Sequence, residues 1–180
     1  VGPDTEIIDA TGKYLVPGLI DGHIHSECSK LSITSYAKAV VPHGTTSMIS
    51  GLDEYISVSN LEGLQEIFAE IKQSPLKVFW GAPYKTPYTV PQSTVSFNFN
   101  KDVHEMVQKW PECYGVWETV TEFVQEEDED TLGAIAEAYK NNLPVFGCAP
   151  MARGTKLNGY LCSGVRLDHE SYDHEEVVEK

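Results

Sequence analysis

Six short apolar runs alternate along this chain with stretches whose apolar residues recur every three to four positions. No other feature limits the fold as strongly. The runs are residues 18–25, 45–50, 76–80, 114–118, 144–148 and 165–169, and each reads as a strand. Between them, Ile33, Tyr36, Ala37 and Val40, with Ser32 as N-cap, predict one helix. Leu61, Leu64, Ile67, Phe68 and Ile71 predict a second, and Leu132, Ile135, Ala136 and Tyr139 another. Helices are also expected near 101–110, over 154–163 and from Asp173 onward. The Pro-, Thr- and Ser-rich stretch 83–100 is too long for a bare connector, so it is expected to cover the mouth of a site. Alternating β and α units imply a parallel sheet. Six of them suit an open doubly wound sheet, or equally the first three-quarters of a (β/α)8 barrel, whose full form takes about 250 residues. Residues 5–16 read as two short strands around a tight turn, a hairpin that belongs to neither sheet and suggests a small β-subdomain.

In parallel α/β folds, ligands bind at the carboxyl ends of the strands. The polar residues there are His23 and His25, Asp53 and Glu54, Tyr84, Glu118, Cys148, and Asp168, His169 and Glu170. Residues two apart on a strand share a face, so His23 and His25 are expected to project together as a chelating pair. A core strand has no packing reason to end in His or Glu. Imidazoles and a carboxylate converging on one rim suit a divalent first-row metal. The remaining histidines read differently: His43 as a helix cap at a turn, His104 and His174 as solvated positions. Cys28, Cys113 and Cys162 read as small buried hydrophobes.

Composition narrows the partners. A formal net charge of -14 argues against a duplex-binding surface, which needs clustered Lys and Arg. The acidic run 126–130 reads as a solvated loop leading into a helix N-terminus. No apolar run approaches the roughly 20 residues that span a bilayer. The opening VGPDTE has neither the basic and apolar pattern of a signal peptide nor an initiator Met, so the chain is expected to start inside a longer protein. Four cysteines far apart, with no C-x-x-C, fit reduced thiols in the cytoplasm.

The segments PGLIDGHIHSECSKL, AVVPHGTTSMIS, GVWE and GTKLNGYLCSGVRLDHE, in this order, resemble the adenine deaminase branch of the amidohydrolase superfamily. The resemblance runs across nearly the whole chain. It implies an incomplete TIM barrel of about six βα units over 17–180, with 1–16 as the end of a small β-subdomain. It also implies one or two divalent metal ions (zinc, manganese or iron), with His23 and His25 on the more buried metal, Glu118 bridging and His169 on the second. The implied reaction is hydrolysis of a C–N bond by a metal-bound hydroxide, adenine and water giving hypoxanthine and ammonia; a cyclic amide is the alternative substrate, and a degenerate structural subunit the alternative role. Glu170 is placed on the substrate side as a proton-handling group, with Glu54 and Asp168 as substrate-binding positions. Two segments depart from the pattern. Gly147-Cys148-Ala149-Pro150 stands where the family has Gly-His-Ala-Pro, making Cys148 a thiolate candidate for the second metal, and Gly51-Leu52-Asp53-Glu54 replaces Asp-Pro-His-Glu. The rest of the barrel is expected from further polypeptide or a partner chain, in an oligomer.

Overall fold

The structure of the chain, a computed structural model, describes residues 2–86, 88, 91–95 and 97–180. The strands are β1 (Leu19–Asp21), β2 (Thr45–Ser50), β3 (Lys77–Pro83), β4 (Cys113–Val120), β5 (Val145–Cys148) and β6 (Leu167–Asp168). The helices are α1 (Ile33–Val40), α2 (Asp53–Ile71), α3 (Lys101–Val107), α4 (Thr121–Gln125), α5 (Glu129–Lys140), α6 (Gly154–Cys162) and α7 (His174–Glu179). All pairings are parallel, and the strands lie side by side in chain order, β1 to β6. That order decides between the two architectures. A doubly wound sheet reverses direction at a switch point, whereas stepping always to the next strand curls the sheet toward closure. The fold is an incomplete (β/α)8 barrel.

The helices begin where their side chains can satisfy the first free N–H groups. The Ser32 hydroxyl accepts from the Ser35 amide at the head of α1, and Asp173 accepts from the Glu176 amide at α7. The acidic run serves α5: Asp128 takes the Thr131 amide at 2.9 Å, and Glu129 and Asp130 fill the first turn, where the helix dipole favours negative charge. Two apolar clusters hold the helices to the sheet. One gathers Met48, Ile56, Leu64, Phe68 and Trp80, and the other Val116, Ala134, Ile135, Leu157 and Tyr160. Full burial of one such large side chain contributes about 1.5–3 kcal/mol. Trp80 is 1% exposed, and its indole N–H donates to the Gly51 carbonyl at 2.7 Å, so the ring is buried with its polar atom satisfied. Among the described residues, no helix is long and apolar enough to cross a membrane.

Four expectations need correction. Residues 5–16 form no strand. The turn exists, with the Lys13 amide on the Ala10 carbonyl, but Ile7, Ile8, Tyr14 and Leu15 are 80–96% exposed. A two-stranded hairpin with no face to pack against is marginal in water. The first strand ends at Asp21, so His23 and His25 lie in the loop beyond it and do not share a strand face. His104 is fully buried, not solvated: its Nε2 meets the Tyr84 carbonyl at 3.1 Å, and its Nδ1 meets the Gln108 amide nitrogen at 3.0 Å. Cys28 and Cys162 are exposed; only Cys113 follows the expectation of burial. In the 83–100 loop, Pro87, Thr89, Val90 and Ser96 lie outside the described residues. Its described part stands on the carboxyl-end rim, where Thr86 bridges Phe99 and the Tyr88 hydroxyl donates to Asp53 at 3.0 Å.

The buried His104 makes the fold sensitive to mild acid. Burial outweighs its hydrogen bonds and lowers its pKa from 6.5 to about 4. Between those values the unfolded chain binds the proton and the folded one does not. The stabilisation is therefore complete above pH 6.5 and is lost as pH falls toward 4. Urea melts across this range are expected to show that slope. A slope of the same size in His104→Gln would show that another group carries it.

Candidate metal centre

A kink in β4 places the central residue. Glu118 lies inside β4 with φ at +58°, in the left-handed region that a side chain rarely adopts, and the register against β5 slips between Val116 and Thr119. Such a bulge re-aims a side chain, and positive φ in a non-glycine residue concentrates where function demands it. The result is a carboxylate only 7% exposed, turned into the rim between three imidazoles. Oε2 stands 3.1 Å from His23 Nε2 and 3.7 Å from His25 Nε2, and Oε1 stands 3.7 Å from His169 Nε2. Burial alone would raise the Glu118 pKa. The imidazoles of His23 and His25, with the field of His169, outweigh it and hold the group at about 2. The Glu118 contact is also the main reason the His25 pKa rises to about 9.

The imidazoles are held from outside. The Gly147 carbonyl accepts from His169 Nδ1 at 2.9 Å, which turns Nε2 toward Glu118. An imidazole fixed through its other nitrogen is the usual outer support of a metal ligand. His23 is stacked between two rings, Trp117 at 4.1 Å and His169 at 3.4 Å. His23 Nε2, His25 Nδ1 and Glu118 Oε2 are buried without a hydrogen-bond partner among the described residues. Buried polar atoms of this kind, with His23 Nε2 3.1 Å from Glu118 Oε2 and His25 Nδ1 on the side of Glu54, are what divalent cations would satisfy, so the donor set fits a metal.

Three groups of side chains could each hold an ion, with candidate ligand atoms within 4.8 Å of one another: His23, Glu118 and His169; Cys148, His169 and Glu170; and His25, Glu27 and Glu54. Two of the groups share His169, which suits neighbouring ions. Cys148 closes β5, its amide donating to the Tyr160 hydroxyl at 3.0 Å while that hydroxyl donates to the Thr119 carbonyl. Burial first, and then the charge of Glu118, push its thiol pKa up. Glu170 stands half-exposed on the open side, 4.0 Å from His169 Nε2, and Glu54 lies 3.9 Å from His25 Nδ1. Asp168 is engaged elsewhere: its oxygens accept from the Ala149 amide at 2.8 Å and Lys180 Nζ at 2.7 Å, tying the ends of β5 and β6 together.

Sequence reasoning missed Glu27 as a member of the site and named Asp53 only as a polar residue after the second strand. Glu27 is buried, and burial together with a hydrogen bond to Glu54 raises its pKa to about 8. Burial likewise raises the Asp53 pKa to about 7, against the opposing charge of His25. The acid close after H-x-H was the available signal for Glu27. Its place after the second strand marked Asp53 but not its burial, where the Tyr88 hydroxyl reaches it from another loop. Below β6 and His23 opens a cavity of about 450 Å³ lined by Ile49, Phe146, Leu167 and His169, within the range of small-molecule sites.

No protein-family model matches the chain. It is 80% identical over 179 residues to adenine deaminase 1 of Desulfotalea psychrophila and 64% identical over 179 residues to adenine deaminase 1 of Latilactobacillus sakei. It is 61% identical over 180 residues to adenine deaminase 4 of Rhizobium meliloti. Over nearly its whole length the chain is thus similar to one portion of these adenine deaminases. The matches cover 99–100% of this chain, which spans 30% of the length of each of these relatives.

Burial separates the four thiols. Brief alkylation of the folded protein is expected to label the exposed Cys28 and Cys162 and to spare the buried Cys113 and Cys148. Peptide mass spectrometry reads the sites directly. Labelling of Cys148 at the rate of Cys162 would contradict the packing described here.

Proposed function

We propose that this chain is the metal-binding part of an enzyme that hydrolyses adenine to hypoxanthine and ammonia. The observation that carries the reading is Glu118, a buried carboxylate set among three imidazoles at the carboxyl ends of parallel strands. In this reading His23, His25 and Glu118 hold one divalent ion, and His169 with Cys148 holds a second that shares Glu118. An ion held there acidifies a water molecule and polarises the carbon under attack. Glu170 on the open side accepts and returns the proton that the departing amine nitrogen needs, and Glu54 faces the substrate. A thiolate at Cys148 favours zinc over manganese at the second position. Support for the substrate comes from relatives at 61–80% identity that are named adenine deaminase.

The surroundings complete the proposal. β1 and β6 each have one sheet neighbour among the described residues, and Leu19, Ile20 and Leu167 are 49–67% exposed on them. Unpaired parallel edges are a liability, so further polypeptide or a partner chain closes the barrel, with residues 1–16 joining a small β-subdomain. Four free cysteines support a reducing, cytoplasmic setting.

The test uses the complete polypeptide, loaded with zinc or manganese. Adenine is expected to be converted to hypoxanthine with one ammonia released per turnover. His23→Ala and Glu118→Gln are each expected to lose bound metal and to slow the reaction by roughly 100-fold or more. Full activity in Glu118→Gln, or metal-loaded protein inert toward adenine, would overturn the reading.

A further inference from the structure

The packing around His23 assigns a role to a residue that carries no ligand atom. Its ring lies nearly parallel to the Trp117 indole, 13° apart with centroids at 4.1 Å, and nearly parallel to His169 on the other face, 14° apart at 3.4 Å. A ring covered on both faces cannot turn about its own axis without displacing a neighbour, so Nε2 stays aimed at Glu118, 3.1 Å away. One cover, His169, is itself fixed by the Gly147 carbonyl. The other, Trp117, is 0% exposed and sits one residue before the bulged Glu118. The kink that aims the carboxylate therefore also carries the indole that holds the imidazole it meets.

Trp117 is fixed in turn by what Gly51 lacks. A Cβ at Gly51 would stand 2.1 Å from Trp117 Cδ1, 2.4 Å from Trp117 Nε1 and 1.9 Å from Asp53 Oδ1. Indole and carboxylate thus occupy the space a side chain would fill. Trp117 Nε1 and Asp53 Oδ1, a buried donor and a buried acceptor, both border that same space, and neither has a hydrogen-bond partner among the described residues. A tryptophan serving only as core filler would not bring its polar edge against a buried carboxylate and its face against a candidate metal ligand.

We propose that Trp117 is the positioning residue of His23: seated over the bare backbone of Gly51, its indole clamps the imidazole in the orientation that binds metal. This inference rests on the metal reading given above. The tests use the complete polypeptide and zinc as the probe, with affinity measured by competition against a chromophoric chelator and indole emission followed in the same titration. Zinc is expected to change the emission of the parental protein, and the change is expected to vanish in Trp117→Phe while Trp80 and Trp110 remain. Trp117→Phe keeps an aromatic face and is expected to bind zinc close to the parental affinity. Trp117→Leu removes the face and is expected to bind roughly tenfold more weakly. Gly51→Ala, which leaves the indole present but pushes it from its seat, is expected to weaken zinc to a similar degree. Should Trp117→Leu fail to fold, Gly51→Ala and the emission titration still decide.

The outcomes separate the two readings. Zinc bound at parental affinity by folded Trp117→Leu and by Gly51→Ala overturns the positioning role and leaves the metal reading standing. An emission change that persists undiminished in Trp117→Phe also overturns it. A parental protein that binds no divalent metal overturns both.

Discussion

A buried carboxylate among imidazoles is the constraint around which the carboxyl-end rim is arranged. Taking Glu118 out of water is costly, and it stays ionised only because His23, His25 and His169 converge on it from two other strand ends. The backbone meets its own cost at the same residue, since positive φ in a glutamate is tolerated only where surrounding contacts over-determine it. Those contacts come from the parallel sheet. Tyr160 ties the Thr119 carbonyl to the Cys148 amide, Asp168 ties the Ala149 amide to Lys180, and the Gly147 carbonyl orients His169. Tyr160 on α6 and Lys180 after α7 thus brace the strand ends that Asp168 and His169 join directly. The site is therefore as rigid as the ladder beneath it.

Much of the fold was legible because it rests on local signals. Strand and helix alternate in a pattern set by hydrophobic periodicity, and Ser32, Asp128 and Asp173 mark helix starts through their side-chain oxygens. The hairpin was misread for a physical reason: turn and strand chemistry are present at residues 5–16, but among the described residues no surface packs against them. His104 was misread for the same kind of reason. Nothing local shows that a helix residue will meet the carbonyl of Tyr84, twenty positions earlier. Among site residues, His23, His25, Glu118 and His169 were visible as polar residues after apolar runs. Trp117 was not, because an indole next to a strand-end acid looks like core until its stacking partner is known.

The departures from the adenine deaminase pattern look independent in the sequence, yet the structure connects one of them to the centre. Gly51 stands where the pattern has an acid, and the indole of Trp117 fills the space that an acid would need. A carboxylate there would collide with Trp117 and crowd Asp53. A side chain at 51 therefore requires the indole that lies against His23 to move. Cys148 differs. Its side chain leaves the ladder intact, since the bonds that hold it run through its amide to Tyr160 and through Ala149 to Asp168. Exchange of the side chain at 148 therefore leaves the ladder in place, while exchange at 51 displaces Trp117 or Asp53. That asymmetry follows from where each residue meets the sheet: Cys148 presents only its side chain to the rim, whereas Gly51 offers the site its bare backbone.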